Sequence, residues 1–183
     1  MRISTIPRRT SHRFIPTIPN LQRKAAPAER NDMRTETQHK ENGNVTASLA
    51  AQIFRMLAAM VAVFQAALVI GAPWGRLTWG GRYPGVLPWS MRGAAALSLL
   101  LMVAFAWIIG VRAGSRGSRW QRRTRGVAWI VVSYCGLGVF ANALTPSPWE
   151  RVLWLPVVAL MLFTSVRVAR SPLLDREVPH GTA

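Results

Sequence analysis

Four long stretches of this chain are almost free of charge, and they are apolar on all sides. A helix that meets water must carry a polar stripe, and none of the four does. The first stretch, Ala50–Ala72, is interrupted only by Gln52, Arg55 and Gln65. With a rise of about 1.5 Å per residue, a helix of that length covers the roughly 30 Å hydrocarbon layer of a bilayer. Gly93–Val111 is uncharged between Arg92 and Arg112, and Gly126–Thr145 is uncharged between Arg125 and Pro146. Trp149–Val166 stops at Arg167. Its charge-free core of about 15 residues is short for a crossing, so three spans is the fallback reading. The pattern predicts an all-α polytopic transmembrane bundle with spans near 50–72, 93–111, 126–145 and 149–166. Strict alternation, the mark of a membrane β-barrel, is missing, and the first span is too long and too far along the chain for a cleaved signal peptide.

Composition excludes more. The chain has 183 residues, of which 7 are acidic and 23 are Lys or Arg, for a formal charge of +16. Glu150 is the single acid between Glu41 and Asp175. Soluble domains scatter charges of both signs over about a quarter of their residues, and this chain does not. Its lone cysteine, Cys135, rules out a disulfide-stapled scaffold and the paired thiols of a membrane disulfide oxidoreductase.

The segment 1–47 reads as a disordered, basic, cytoplasmic tail, with Pro7, Pro16, Pro19 and Pro27 set among Arg8, Arg9, Arg13, Arg23, Lys24 and Arg30. It has too little apolar surface to offset the entropy of ordering. A transit peptide, or a leader before an internal start at Met33, stays open beside the plain solvated tail. The sequon Asn44-Val45-Thr46 would be inert on the cytoplasmic side. Residues 48–170 form the transmembrane domain, and 171–183 read as a short cytoplasmic tail.

Orientation follows from the arginines. The connector Arg112–Arg125 also holds Arg116, Arg119, Arg122 and Arg123, without an acid. Retention of positive charge on the cytoplasmic side places this connector and both termini inside. Trp74, Trp79, Trp89 and Trp149 then mark the outer boundary, with Trp120 and Trp129 at the inner one. The arginine cluster also suits anionic lipid headgroups. Stacking of a base on Trp120 is conceivable, but nucleic acid is the less favoured partner, because topology alone accounts for the charge.

Histidines 12, 39 and 180 all fall in the tails, so no imidazole is expected inside the bundle to bind haem or metal. No acid interrupts a span, and no phosphate-binding loop, dinucleotide fingerprint or nucleophile elbow occurs. The expectation is a non-enzymatic protein without cofactor or metal.

Three features could do something. The outer connector from Gly71 to Trp89 is rich in Gly, Pro and Trp. Its Trp74, Arg76, Trp79, Arg82 and Trp89 are candidates for contact with a partner or with lipid, or for a cap over the helix ends. Tyr134, Gly138 and Asn142 share one face of the third span. With Gln65 they form a candidate polar seam, amides bonding across it, beside small-residue stripes at Ala58, Ala62 and Ala66 and at Ala94, Ser98, Ala106 and Gly110. Ser147-Pro148-Trp149-Glu150 fits a capping box, in which the Ser147 oxygen accepts from the Glu150 amide and the Glu150 carboxylate reaches back to the Ser147 amide.

The pieces Gly71-Ala-Pro-Trp-Gly75, Trp79-Gly-Gly81, Pro84-Gly-Val-Leu-Pro88 and Ser147-Pro-Trp-Glu-Arg151 resemble those of a family of small four-span bacterial membrane proteins. The resemblance covers roughly Ala50 to Ala169. It implies the four-span fold and a bacterial inner-membrane location, and no activity, cofactor or catalytic residue. Two classes of function stay open. One is an accessory or scaffold protein that binds a partner or lipid, with a homo-oligomer possible. The other is a small oligomeric transporter or channel lined by Gln65, Tyr134 and Asn142. An enzyme using Arg76, Arg82 and Glu150 trails both.

Overall fold

A computed structural model of the chain describes residues 27–115 and 118–171. The segments 1–26 and 172–183, including most of the expected tails, lie outside the described residues. Four α-helices follow in order: α1, Pro27–Ile70; α2, Trp89–Gly110; α3, Ser118–Leu144; and α4, Pro148–Arg170. No strand occurs among the described residues. All four contain a stretch long and apolar enough to cross a membrane, and that of α4 runs over Pro148–Arg170. The chain is an all-α membrane-spanning bundle, and the fourth span, the doubtful one by sequence, is complete. Residues up to Gln38 form one compact unit, and a second begins at His39 and holds the bundle.

Two helices begin earlier than hydropathy suggests. The tail was expected to end at 47, yet α1 starts at Pro27. Proline is tolerated in a first turn, and the residues that follow are largely Ala, Glu, Arg, Met, Gln and Lys, good helix formers without an apolar period to announce them. Likewise α3 starts at Ser118, so most of the arginine connector is helix rather than loop. Its side chains divide by face. Gln121, Thr124, Ala128, Val131 and Cys135 are buried at alternating spacings of three and four, while Arg119, Arg122, Arg123 and Arg125 are exposed.

Helices α3 and α4 form an extensively packed antiparallel hairpin. Along α1 the buried stripe is mostly alanine: Ala47, Ala50, Ala51, Ala58 and Ala62, with Phe54 among them. Small faces allow close approach where lipid gives no hydrophobic driving force between helices. The main core gathers Phe54, Ala58, Met102, Phe105, Ile109, Val131, Cys135, Met161 and Val168, and fills the end of the bundle that bears the exposed α3 arginines. That end is called the basic end below. At the other end a small cluster of Leu68, Leu87 and Ala95, with Phe64 and Tyr83, lies under the connector that links α1 to α2.

This connector is the cap. Helix α1 closes with hydrogen bonds from Gly71 N–H to the Leu68 carbonyl and from Ala72 N–H to the Ala67 carbonyl, a Schellman ending. Two single 3-10 turns follow, Gly75–Leu77 and Trp79–Gly81. Gly75 donates to the Gly85 carbonyl at 2.9 Å, which folds the segment back on itself. The approach is so close that a Cβ at Gly75 would lie 2.2 Å from the Tyr83 carbonyl oxygen and 2.8 Å from that of Gly85. By contrast, a Cβ at Gly138, on the α3–α4 interface, would meet Val158 at an ordinary 3.8 Å.

Two glycines should therefore respond in opposite ways. Gly75→Ala should lower the thermal stability of the purified protein in detergent by on the order of 2 kcal/mol or more, because the clash is with backbone. Gly138→Ala should hold or raise it, since alanine is up to about 1 kcal/mol better than glycine inside a helix. Melting both variants by circular dichroism decides, and equal behaviour would mean that the cap is not part of the cooperative fold.

Candidate functional site

Four helices and the cap line a partly open cavity of about 360 Å³. It brings together residues from every part of the bundle: Phe64 and Gln65 of α1, Ser98 and Met102 of α2, Tyr134, Gly138 and Asn142 of α3, and Trp154 and Val158 of α4. Thr78 of the cap and Glu150, at the start of α4, also line it. The expected seam residues Gln65, Tyr134 and Asn142 thus share one space. They do not bond across it. Asn142 donates its amide to the Gly138 carbonyl one turn back in its own helix, at 2.8 Å, and Tyr134 packs edge-on against Phe105. The carbonyl of a preceding turn is the nearest acceptor for a short amide, and the void separates Asn142 from other helices.

Glu150 departs from its expected role. One half of the capping box is present: Ser147 Oγ accepts from the Glu150 amide at 3.3 Å, with Pro148 in the first helical turn. The carboxylate does not return to the Ser147 amide. Its Oε2 accepts from Gly80 N–H at 2.7 Å and from the Thr145 hydroxyl at 2.9 Å. Gly80 offers that amide from a left-handed conformation, φ 70°, with Gly81 at φ 73° beside it. A backbone N–H of the cap, otherwise without a helical partner, is a stronger claimant than the Ser147 amide.

One turn further on, Trp154 donates its indole N–H to the Leu77 carbonyl at 2.6 Å. Its ring sits 4.7 Å edge-on from Phe64, which in turn stacks on Trp74. Glu150 and Trp154 are four residues apart, so both face the cap from the same side of α4. Together they latch residues 77–80 to the hairpin. Trp154 is the residue that sequence reading passed over. Its signal was a tryptophan inside an apolar span, whose N–H requires an acceptor when removed from water.

The five aromatic and basic candidates of the outer connector lie elsewhere. Trp74, Arg76, Trp79, Arg82 and Trp89 are all exposed on the cap surface, and none lines the cavity. Arg92, not singled out by sequence, ties the cap to α2: its Nε donates to the Leu87 carbonyl and its guanidinium lies 4.6 Å over the Trp89 ring. At the basic end Arg112 is withdrawn from the exposed arginine patch of α3. It is 98% buried (2% exposed) and donates from Nη2 to the carbonyl of Ser171, which ends α4. The wide turn Val111–Ser115, with Gly114 at φ 95°, precedes α3 and directs Arg112 inward. Among the described residues no three His, Cys, Asp or Glu side chains come together.

These features define a multi-pass membrane protein with a capped, largely apolar cavity at one end. Comparison of the chain with protein-family models, with curated proteins and with solved structures finds no match.

The latch predicts a graded series. Glu150→Gln should melt close to wild type, because an amide oxygen still accepts from Gly80 and Thr145. Glu150→Ala strands both donors and Trp154→Phe strands the Leu77 carbonyl. Each should cost about 1–3 kcal/mol and expose residues 72–88 to limited proteolysis. If the Gln and Ala variants fall equally, charge rather than hydrogen bonding holds the cap.

Proposed function

We propose that this chain is a non-enzymatic multi-pass protein of a bacterial cytoplasmic membrane that binds a small amphiphile in its capped cavity. The motifs at Gly71–Gly75 and Ser147–Arg151 support membership of the four-span family they resemble, and they contribute residues to the cap and its latch. The observation that carries the binding reading is the one-sided cavity. On α4 its lining runs from Glu150 to Met161, about 16 Å along the helix axis. Below that depth Phe54, Ile109, Val131 and Val168 are fully buried and close the bundle. A blind apolar pocket with a few polar groups suits retention of a ligand. The transporter reading is favoured by Gln65, Tyr134 and Asn142 sharing the lining, and it requires that packed basic end to open. Exposed Arg119, Arg122, Arg123 and Arg125 would rest on anionic headgroups, each contributing roughly 1 kcal/mol, rather than on nucleic acid.

Binding is tested with a thiol introduced into the lining. In a Cys135→Ser background, Ala141→Cys places the thiol at the cavity and Val152→Cys places one on an exposed site at similar depth. In lipid nanodiscs an amphiphile of cavity size should slow maleimide labelling several-fold at 141 and leave 152 unchanged. Equal slowing at both sites would mean that the compound acts on the bilayer, and the binding reading fails. Flux of the same compound in proteoliposomes would move the assignment to the transporter class.

Orientation has its own test. In intact cells, in the same Cys135→Ser background, an impermeant maleimide should label Val86→Cys on the cap and not Arg122→Cys at the basic end. The reverse pattern would invert the proposed topology.

A further inference from the structure

The chemistry of the cavity lining narrows the ligand, on the premise that the cavity is a binding site. We propose that its occupant is a hydrophobic monocation, with its charge against the Glu150 carboxylate and its apolar body among Phe64, Tyr134 and Trp154.

Glu150 is the one charged side chain among the residues that line the cavity. Its Oε2 is occupied by Gly80 and Thr145, whereas Oε1 has no hydrogen-bond partner among the described residues. No Lys or Arg nitrogen of the described residues lies within 4.0 Å of the carboxylate. Its neighbour Arg151 is exposed and donates to the Thr145 carbonyl instead, at 2.6 Å. A carboxylate facing an apolar space without a counter-charge is unfavourable, and a cation within the cavity supplies what the protein does not. An anionic ligand would meet a like charge in the lining.

The aromatic lining adds to this. Phe64 and Trp154 stand together at the cap end of the cavity, and Tyr134 lies deeper on α3. The faces of aromatic rings attract cations, most strongly where water is excluded. Access is from the side. Tyr134, Leu137 and Ala141 are lining residues that are also exposed on the apolar surface of α3, so the mouth opens toward the bilayer. A ligand arriving there must partition into lipid while carrying its charge near the headgroups, as an aromatic quaternary ammonium does. The cavity volume of about 360 Å³ falls in the range of small-molecule sites.

The experiment compares two molecules of one shape. Phenyltrimethylammonium and tert-butylbenzene differ by a positively charged nitrogen in place of a carbon. Each is titrated against maleimide labelling of the Cys135→Ser, Ala141→Cys protein in nanodiscs, with membrane partitioning corrected against protein-free discs. The cation should protect the introduced thiol at a membrane concentration at least tenfold below that of the neutral isostere. Adding Glu150→Gln, whose melting temperature verifies the fold, should reduce the preference to within about twofold. Equal protection by the two isosteres would overturn cation recognition while leaving the cavity as a binding site. Absence of protection by both would overturn the cavity reading as well. A preference that survives Glu150→Gln would place the cation away from Glu150 and also overturn the proposal. The isostere comparison on the Glu150 protein stands whether or not the glutamine variant folds.

Discussion

Backbone that is not helical must still find hydrogen-bond partners where packing excludes water, and this requirement organises the cap end of the protein. A span satisfies its own N–H and C=O groups, but residues 71–88 run through two single turns and a reversal and cannot. Part of the demand is met within the segment, by Gly75 donating to Gly85. More is met from α2 and α4: Arg92 serves the Leu87 carbonyl, the Glu150 carboxylate takes the Gly80 N–H and the Trp154 indole serves the Leu77 carbonyl. Two side chains one turn apart thus connect a loop to a helix seventy residues away in sequence. The cap is thereby an integral part of the bundle rather than a linker between two spans.

The same face of α4 continues downward as the wall of the cavity. Glu150, Trp154, Val158 and Met161 follow at spacings of four, four and three, so one stripe first holds the cap and then lines the space beneath it. Opposite, α3 presents Gly138 and Ala141 beside Tyr134 and Asn142. Small residues of this kind favour close helix approach, and toward α4 they permit it. Toward α1 the stripe of alanines ends near Ala62, and Phe64 and Gln65 stand at the edge of the void. Tight packing at the basic end and open space at the cap end are two consequences of one distribution of small and large side chains.

The spans were legible because an all-round apolar stretch has few alternatives, and the Gly, Pro and Trp content of the connector announced a turn-rich cap. Ser147 caps α4 and Pro148 begins it because capping is a local interaction, written within four residues. Helix extents were less legible. The early part of α1 and the first turns of α3 are set by propensity and by partly polar buried positions such as Gln121 and Thr124, which a hydropathy pattern does not register. Pairings across the fold left no local trace at all. Glu150 with Gly80, Trp154 with Leu77 and Arg112 with Ser171 join residues far apart in sequence, and the donors and acceptors involved are largely backbone groups that every residue possesses.

The charge of Glu150 remains the most informative part of the site. A latch to Gly80 and Thr145 needs only an acceptor oxygen, and a glutamine offers one in the same place. Ionisation strengthens the two bonds, by roughly 1 kcal/mol each on the usual difference between charged and neutral hydrogen bonds. Against this stands the desolvation of a carboxylate beside an apolar cavity, an effective penalty of several kcal/mol when burial is complete and less for a partly buried group such as this one. A latch that a neutral oxygen also satisfies gives little reason for a negative charge there. The second carboxylate oxygen supplies one. It takes no part in holding the cap, lies on a group that lines the cavity, and has no cation of the described residues within bonding reach. Its charge contributes most when a positive group enters from the bilayer, and the aromatic walls around it favour the same sign of ligand.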